Sequence, residues 1–556
     1  MSVKYERLER LGKGSYGTVY RVKDRQTGTV VALKKYASLN DYNEGIPECT
    51  LREMSILRLA NHPNIIQTIW FDLVDFKFVS MKEYQYTLND YTKTIYGQVR
   101  TSTIRQISYQ ILRGVYYLHS NGIVHRDIKP QNIMINIEDD GKLDVVLIDV
   151  GMGRNLDIID RHHPKTQQVC TLWYRSPDLL LGYRDYHFEL DIWSVGCIVG
   201  EMIKKDVLFR SHGEIGQLYE IFKVLGTPDT DEWPGLSEYP LYKSHWPQWT
   251  NRFDKVFDNY DSNLTDLLKS MLTMNPQERI KIDQALEHEF FDDYFEHGNY
   301  HDLQSYITNY EDNIITSLPK KWHEVIARYK IPFLNTCLVD QKEITSRKRR
   351  ILLNWLVEVM GEYKLGLNSY LRAQNIIDRY CSKKIVDQKD YQLVGIASLW
   401  IAEKIEVICP IGHRELLYIS ANIYTPQQLV DMEKSILSAI ELDTMFPIST
   451  SFLSLYSGLV GLKEDQISEV KFLLLYTTYC LELFAYHPSI RCISASLIVA
   501  NKQDIVDNDK DGYIIKGCIE LMKNWLNIHK NKKGNKTKHT GLRSLEWTKS
   551  YIDKYL

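Results

Sequence analysis

The period of the apolar residues changes along this chain, and that change constrains its fold more than any single residue does. Residues 4 to about 80 alternate short β-rich runs with glycine turns, as in Val19-Tyr20-Arg21-Val22 and Thr29-Val30-Val31-Ala32-Leu33, which predicts a small antiparallel sheet. A helical stretch from about Cys49 to Leu59 interrupts it. From about 100 to 292 helical spacing takes over, as in Ile104, Ile107, Ile111, Leu112 and Val115. Residues 293–321 are polar and rich in Tyr, Asp and Asn, which reads as a linker. Beyond it the chain is almost wholly helical. Positions 352, 355, 356, 359 and 363 make one apolar face, further helices are expected around 370–381, 391–405 and 426–442, and Pro447 opens a second helical set.

At 556 residues the chain exceeds a single core, and about 150 residues per domain predicts three or four. A formal net charge of -3 argues against a general affinity for nucleic acid or other polyanions. The local exception, Lys530-Asn531-Lys532-Lys533-Gly534-Asn535-Lys536-Thr537-Lys538, is expected to be a solvated loop rather than a localisation or phosphate-binding patch. Nine cysteines include no C-x-x-C pair, so neither a zinc site nor a disulfide framework is indicated. Met1-Ser2-Val3-Lys4-Tyr5-Glu6 has no apolar run of signal-peptide type, and no segment reaches roughly 18 uninterrupted apolar residues. The expectation is a soluble intracellular protein, in cytoplasm, nucleus or both, with no membrane partner.

The densest chemistry lies in the first half. Gly12-Lys13-Gly14-Ser15-Tyr16-Gly17-Thr18-Val19 sits between strand-like runs, where glycines let backbone amides approach phosphate oxygens without a Cβ in the way. Alone, such a glycine pattern also fits a dinucleotide fingerprint. Here Val31-Ala32-Leu33-Lys34 follows on the next strand, and His125-Arg126-Asp127-Ile128-Lys129-Pro130-Gln131-Asn132 and Asp149-Val150-Gly151 come later. This set resembles the protein kinases. The resemblance implies an α+β bilobal fold over residues 1–292, with a small lobe to about 84 and a larger one over 85–292. It implies ATP and Mg²⁺ as cofactors. Gly12, Gly14, Gly17, Val19, Ala32, Lys34, Met81, Glu83 and Tyr84 would hold the nucleotide, with Glu53 paired to Lys34. Asp127 would orient the substrate hydroxyl and take its proton, Lys129 would neutralise the moving phosphoryl group, and Asn132 and Asp149 would bind the metal.

Thr171-Leu172-Trp173-Tyr174-Arg175-Ser176-Pro177-Asp178, Asp191-Ile192-Trp193-Ser194-Val195-Gly196-Cys197, Leu225-Gly226-Thr227-Pro228 and Glu44-Gly45-Ile46-Pro47-Glu48-Cys49-Thr50-Leu51-Arg52-Glu53 narrow the resemblance to cyclin-dependent kinases, which implies Ser/Thr-Pro sites on protein substrates. Thr166 occupies that family's activating phosphorylation position, with Arg52, Arg126 and Arg154 where a phosphate needs cations. Ser15 and Tyr16 match its inhibitory sites. The chain departs from the pattern at three places: Val150 for a phenylalanine, Asp178 for a glutamate that would pair with Arg279, and Cys170 for a valine.

Arg349-Arg350-Ile351-Leu352-Leu353-Asn354-Trp355-Leu356-Val357-Glu358-Val359 resembles the opening helix of a cyclin box, with Thr345 as its expected N-cap. Asn375-Ile376-Ile377-Asp378-Arg379-Tyr380 and Leu393–Lys404 resemble its second and third helices, of the mitotic A/B type. This implies an all-α cyclin fold with two tandem helical boxes, over 322–446 and 447–556. Lys404 and Glu433 match the pair by which cyclins grip the kinase helix, and Arg349 and Asp378 match an internal ion pair. Lys348 stands where methionine is expected on a patch, formed with Ile351, Trp355 and Gln392, that docks Arg-x-Leu motifs. Together the halves predict a serine/threonine kinase activated in cis by its own cyclin, working as a monomer through an intramolecular contact. Two alternatives are a catalytically weak decoy that binds kinase inhibitors or small adaptor proteins, and a cyclin module that activates another kinase in trans.

Overall fold

The computed structural model describes residues 4–14, 17–36, 45–150, 154–155, 172–183, 188–292, 334, 336–407, 409–502, 512–530, 542 and 545–555. They fall into two compact units. The first comprises Met1–Ala37, Arg52–Phe71 and Phe78–Tyr306, and the second Ser38–Leu51, Asp72–Lys77 and Ile307–Leu556. Ser15, Tyr16, Cys170, the Thr166 segment and the predicted linker lie outside the described residues.

In the first unit, strands β1 (Tyr5–Gly14), β2 (Gly17–Asp24), β3 (Val30–Tyr36), β4 (Thr68–Phe71) and β5 (Phe78–Met81) form an antiparallel sheet in the order β1-β2-β3-β5-β4. Period-2 alternation buries Tyr5, Val22, Val31 and Leu33 against Trp70 and Phe78 on one face. Helix α1 (Glu48–Leu59) interrupts the sheet between β3 and β4, within a residue of its predicted bounds. The second part of the unit begins with the short strand β6 (Tyr86–Thr87), α2 (Leu88–Thr94) and α3 (Thr101–Ser120). α3 buries Ile104, Ile107, Ile111, Leu112 and Val115, the stripe its spacing requires. Strands β7 (Ile123–Val124), β8 (Ile133–Ile137) and β9 (Leu143–Leu147) follow, with β8 paired antiparallel to both β6 and β9. Helical periodicity did not anticipate these strands. Ile133-Met134-Ile135 and Val145-Val146-Leu147 are apolar runs too short to have a period of their own. Among the later helices, α4 (Pro177–Leu180) is short, and α5 (Glu189–Lys204) is buried along nearly its whole length.

The second unit is helical: α6 (Ser346–Glu362), α7 (Leu367–Lys383), α8 (Tyr391–Glu406), α9 (His413–Ile419) and α10 (Pro426–Ala439), then α11 (Leu453–Val460), α12 (Glu464–Thr477), α13 (Pro488–Ala500) and α14 (Gly512–Lys530). α8 is buried on all sides, as expected of a helix apolar all round. Gly395 on α8 lets the helices approach closely, since a Cβ there would fall 2.7 Å from a Leu352 methyl on α6, which would have to shift. Thr345 caps α6 by accepting the Lys348 N–H. α10 stops at Ala439 rather than near 442, because Glu441 and Leu442 adopt left-handed backbone (φ 53° and 60°). α9 was not anticipated. A bilobal α+β unit followed by all-α helical bundles is the predicted fold class, and it is what the chain forms.

Candidate active site

The glycine-rich turn joins β1 to β2, where Gly12 pairs with Val19 and Gly14 with Gly17. Gly17 cannot be replaced without movement, since a Cβ there would lie 2.4 Å from the Lys35 carbonyl oxygen. Val19 pairs with Lys34 across β2 and β3, and Ala32 pairs with Met81 across β3 and β5. These register partners put the predicted nucleotide residues side by side on one sheet. Glu83 and Tyr84 lie in the connector that leaves β5.

Helix α1 brings Glu53 to the sheet. Lys34 Nζ donates to Glu53 Oε1 at 2.6 Å and to Oε2 at 2.8 Å, and lies 3.5 Å from Asp149 Oδ1. Burial pulls the Lys34 pKa down, but the Glu53 and Asp149 carboxylates outweigh it and hold the ammonium above the ordinary lysine value. Glu53 is itself pushed up, since burial and the Asp149 charge outweigh the pull of Lys34. One buried cation therefore faces two carboxylates, an arrangement with room for more positive charge.

The run His125–Asn132 folds back on itself. Lys129 Nζ donates to Asp127 Oδ2 at 2.6 Å. Asn132 Nδ2 donates to the Asp127 carbonyl at 2.8 Å and to Asp127 Oδ2 at 3.0 Å. The Ile148 N–H donates to the Asn132 carbonyl at 3.0 Å, which holds the segment carrying Asp149 beside the run. Arg126 and Asp149 both have left-handed backbone (φ 66° and 60°), a cost that clusters at working sites. The donors fit Mg²⁺, which takes oxygen ligands and is usually held by one or two carboxylates plus substrate phosphates. With Nδ2 committed to Asp127, the Asn132 Oδ1 is left as an acceptor, and Asp149 Oδ1 is buried without an aligned hydrogen bond. Among the described residues, no cluster of three or more His, Cys, Asp or Glu side chains offers a protein-only metal cage.

Asp191, at the start of α5, is a positioning residue that none of the motifs singled out by role. Its fully buried carboxylate accepts the His125 N–H at 2.8 Å, the Arg126 N–H at 2.9 Å and a hydrogen bond with His119 Nε2 at 2.8 Å. Burial raises its pKa, but the His119 bond, the neighbouring histidines and the backbone N–H outweigh this and hold it below the ordinary value of 3.8. A depressed folded-state pKa adds stability that is present above the unfolded value and lost as pH falls through the folded one. Asp191→Asn is therefore expected to lower stability at pH 7 and to flatten the acid loss below about pH 4. Urea unfolding at a series of pH values checks this, and an unchanged acid slope would contradict it.

Of the departures from pattern, Asp178 still reaches Arg279, with Nη2 at 3.0 Å from Oδ1 and both side chains buried. Arg279 also donates to the carbonyls of Thr273, Glu189 and Met274, so the shorter acid leaves no donor stranded. Val150 is fully buried. Arg52 and Arg126 are buried too, while the side chain of Arg154 and the whole of Thr166 lie outside the described residues.

In the second unit Lys404 Nζ donates to Glu433 Oε1 at 2.5 Å and sits 3.4 Å from the centre of the Trp400 ring. Glu433 Oε2 accepts the backbone N–H of Ile46 at 3.0 Å. Arg349 forks onto Asp378 at 2.8 and 2.6 Å and donates to the Thr478 carbonyl at 2.7 Å, tying the helical sets together. Lys348 Nζ is held by the Glu343 carbonyl at 2.8 Å and by Gln388 Oε1 at 2.6 Å.

Comparison with known proteins agrees with this geometry. Residues 5–291 match the protein kinase domain family and residues 325–445 the N-terminal domain of cyclins. The chain is 42% identical over 294 residues to cell division control protein 2 homolog 3 of Trypanosoma brucei brucei, a match covering 52% of this chain and 92% of that relative. Among the described residues no helix is long and apolar enough to cross a membrane. The chain belongs to the protein kinase family, as an enzyme of the cyclin-dependent type that carries a cyclin domain on the same polypeptide.

Proposed function

We propose that this enzyme transfers the γ-phosphate of ATP to serine or threonine hydroxyls followed by proline, and that its cyclin half activates it in cis. The observation that carries the reading is the closed Lys34–Glu53 pair at 2.6 Å, in the same unit as an Asp127 carboxylate braced by Lys129 and Asn132. Phosphoryl transfer asks for positioning and charge neutralisation more than covalent chemistry. Asp127 would orient the hydroxyl and accept its proton, while Lys129 would meet the charge on the moving group. Lys34, fixed by Glu53, would hold the nucleotide phosphates under the glycine-rich turn. Mg²⁺, held by Asn132 and Asp149, would supply neutralising charge at those phosphates. The Ser/Thr preference rests on Lys129 between Asp127 and Asn132, and the proline preference on the resemblance of Thr171–Asp178.

Activation in cis draws support from the Gly45–Leu51 stretch, which belongs to the second unit and leads into the helix that carries Glu53. There the Ile46 N–H is held by Glu433, itself paired to Lys404. Phosphorylation at Thr166, received by Arg52, Arg126 and Arg154, and inhibition at Ser15 and Tyr16 complete the proposed regulation.

The test is transfer from Mg·ATP to a Ser-Pro-x-Lys peptide against its Ser-Ala-x-Lys counterpart. A preference of about tenfold or more for proline is expected. Equal rates would remove proline direction, and transfer to tyrosine peptides alone would remove the Ser/Thr assignment.

A further inference from the structure

The connector between β5 and β6, Lys82–Gln85, belongs to no strand, yet each of its residues is held from outside it. Lys82 Nζ donates to Asp144 Oδ2 at 2.7 Å, and the Tyr84 hydroxyl donates to the same oxygen at 3.1 Å. Side chains two apart in an extended segment project to one side, so a single carboxylate can take both. Glu83 forms an ion pair with Arg21 of β2, Oε1 to Nε at 2.7 Å. The Gln85 N–H donates to Asn136 Oδ1 at 2.8 Å, and the Ile137 N–H donates back to Gln85 Oε1 at 3.0 Å. Asn136 and Asp144 are register partners across β8 and β9, so one hairpin grips three of the four connector residues.

Burial and the Asp144 charge raise the Tyr84 phenol pKa, which keeps it protonated as a donor. The Asp144 side chain is only 18% exposed, and its two bonds are therefore poorly replaced by water.

We propose that Asp144 is a positioning residue for the nucleotide: by tying Lys82 and Tyr84 to the β8–β9 hairpin, it fixes the connector segment against which the adenine end of ATP rests. This rests on the reading of Met81, Glu83 and Tyr84 as nucleotide residues. Asp144 touches neither phosphate nor substrate in this role, so its loss acts on nucleotide affinity and leaves the chemical step alone.

The test uses the full-length protein. Calorimetry measures Mg·ATP and Mg·ADP binding, with kcat and the peptide KM taken alongside. Asp144→Ala is expected to weaken both nucleotides about tenfold, the size of one charge-assisted hydrogen bond, and to raise the ATP KM equally at constant kcat and constant peptide KM. Asp144→Asn, which keeps the shape and an acceptor, and Lys82→Met should each give about threefold in the same direction. These two variants keep the proposal testable if the alanine variant does not fold. Unchanged nucleotide affinity in the folded variants, or a fall in kcat without loss of affinity, would overturn the role of Asp144. Wild-type protein that binds nucleotide but transfers no phosphate would instead overturn the kinase reading and leave the effect of Asp144 on binding to be read directly.

Discussion

Asp127→Asn is expected to lower phosphate transfer by about 10²–10⁴-fold while leaving nucleotide affinity nearly unchanged. The substitution keeps the volume and a side-chain acceptor for Lys129 and Asn132, whose donors lie 2.6 and 3.0 Å from Asp127 Oδ2. What it removes is the group able to take a proton from the incoming hydroxyl. Lys34, Glu53 and the glycine-rich turn are untouched, so the nucleotide should still bind. Single-turnover transfer measured beside calorimetric binding separates the two effects. Transfer retained at more than about a tenth of the wild-type rate would mean that Asp127 is not the base.

Gly45→Val is expected to cost nearly as much, by a different route. Gly45 has φ +66°, and a Cβ there would lie 2.3 Å from Glu433 Oε2 and 2.6 Å from the Trp400 ring. A β-branched residue in left-handed backbone costs about 1–2 kcal/mol, and overpacking adds about 1–3 kcal/mol. Together these should release the segment from Glu433 and lower transfer by about 30- to 4 × 10³-fold, since about 1.4 kcal/mol is one factor of ten. Gly45 lies outside the helices, so both units should keep their unfolding transitions. Full activity in the folded variant would show that the grip on this segment is dispensable.

Much of this was legible in the sequence because it rests on short-range rules. The spacing of Val31-Ala32-Leu33-Lys34 fixed which strand carries the lysine, and helical spacing placed Glu53 on a helix beginning within a residue of the predicted position. Strands β8 and β9 were not legible, since a run of five apolar-rich residues has no period to read. The roles of Asp191 and Asp144 were not legible for a second reason. A carboxylate that receives backbone N–H groups from residues 65 and 66 positions away, or that meets Lys82 from 62 positions away, owes its role to long-range folding, which the motif opening at Asp191 does not state and the residues around Asp144 do not mark. The end of α10 was misjudged because left-handed Glu441 and Leu442 are not glycines, so the usual stop signal is lacking.

Whether the enzyme is activated by its own cyclin half is read from the specific activity of the purified chain alone as it is diluted. Asp127→Asn serves as the blank. An intramolecular partner acts at an effective concentration of order millimolar, far above any assay concentration. Activation in cis therefore predicts transfer well above the blank and a specific activity that stays constant on dilution. Specific activity that falls in proportion to dilution would place activation between chains, and transfer no greater than the blank would rule out an enzyme active on its own.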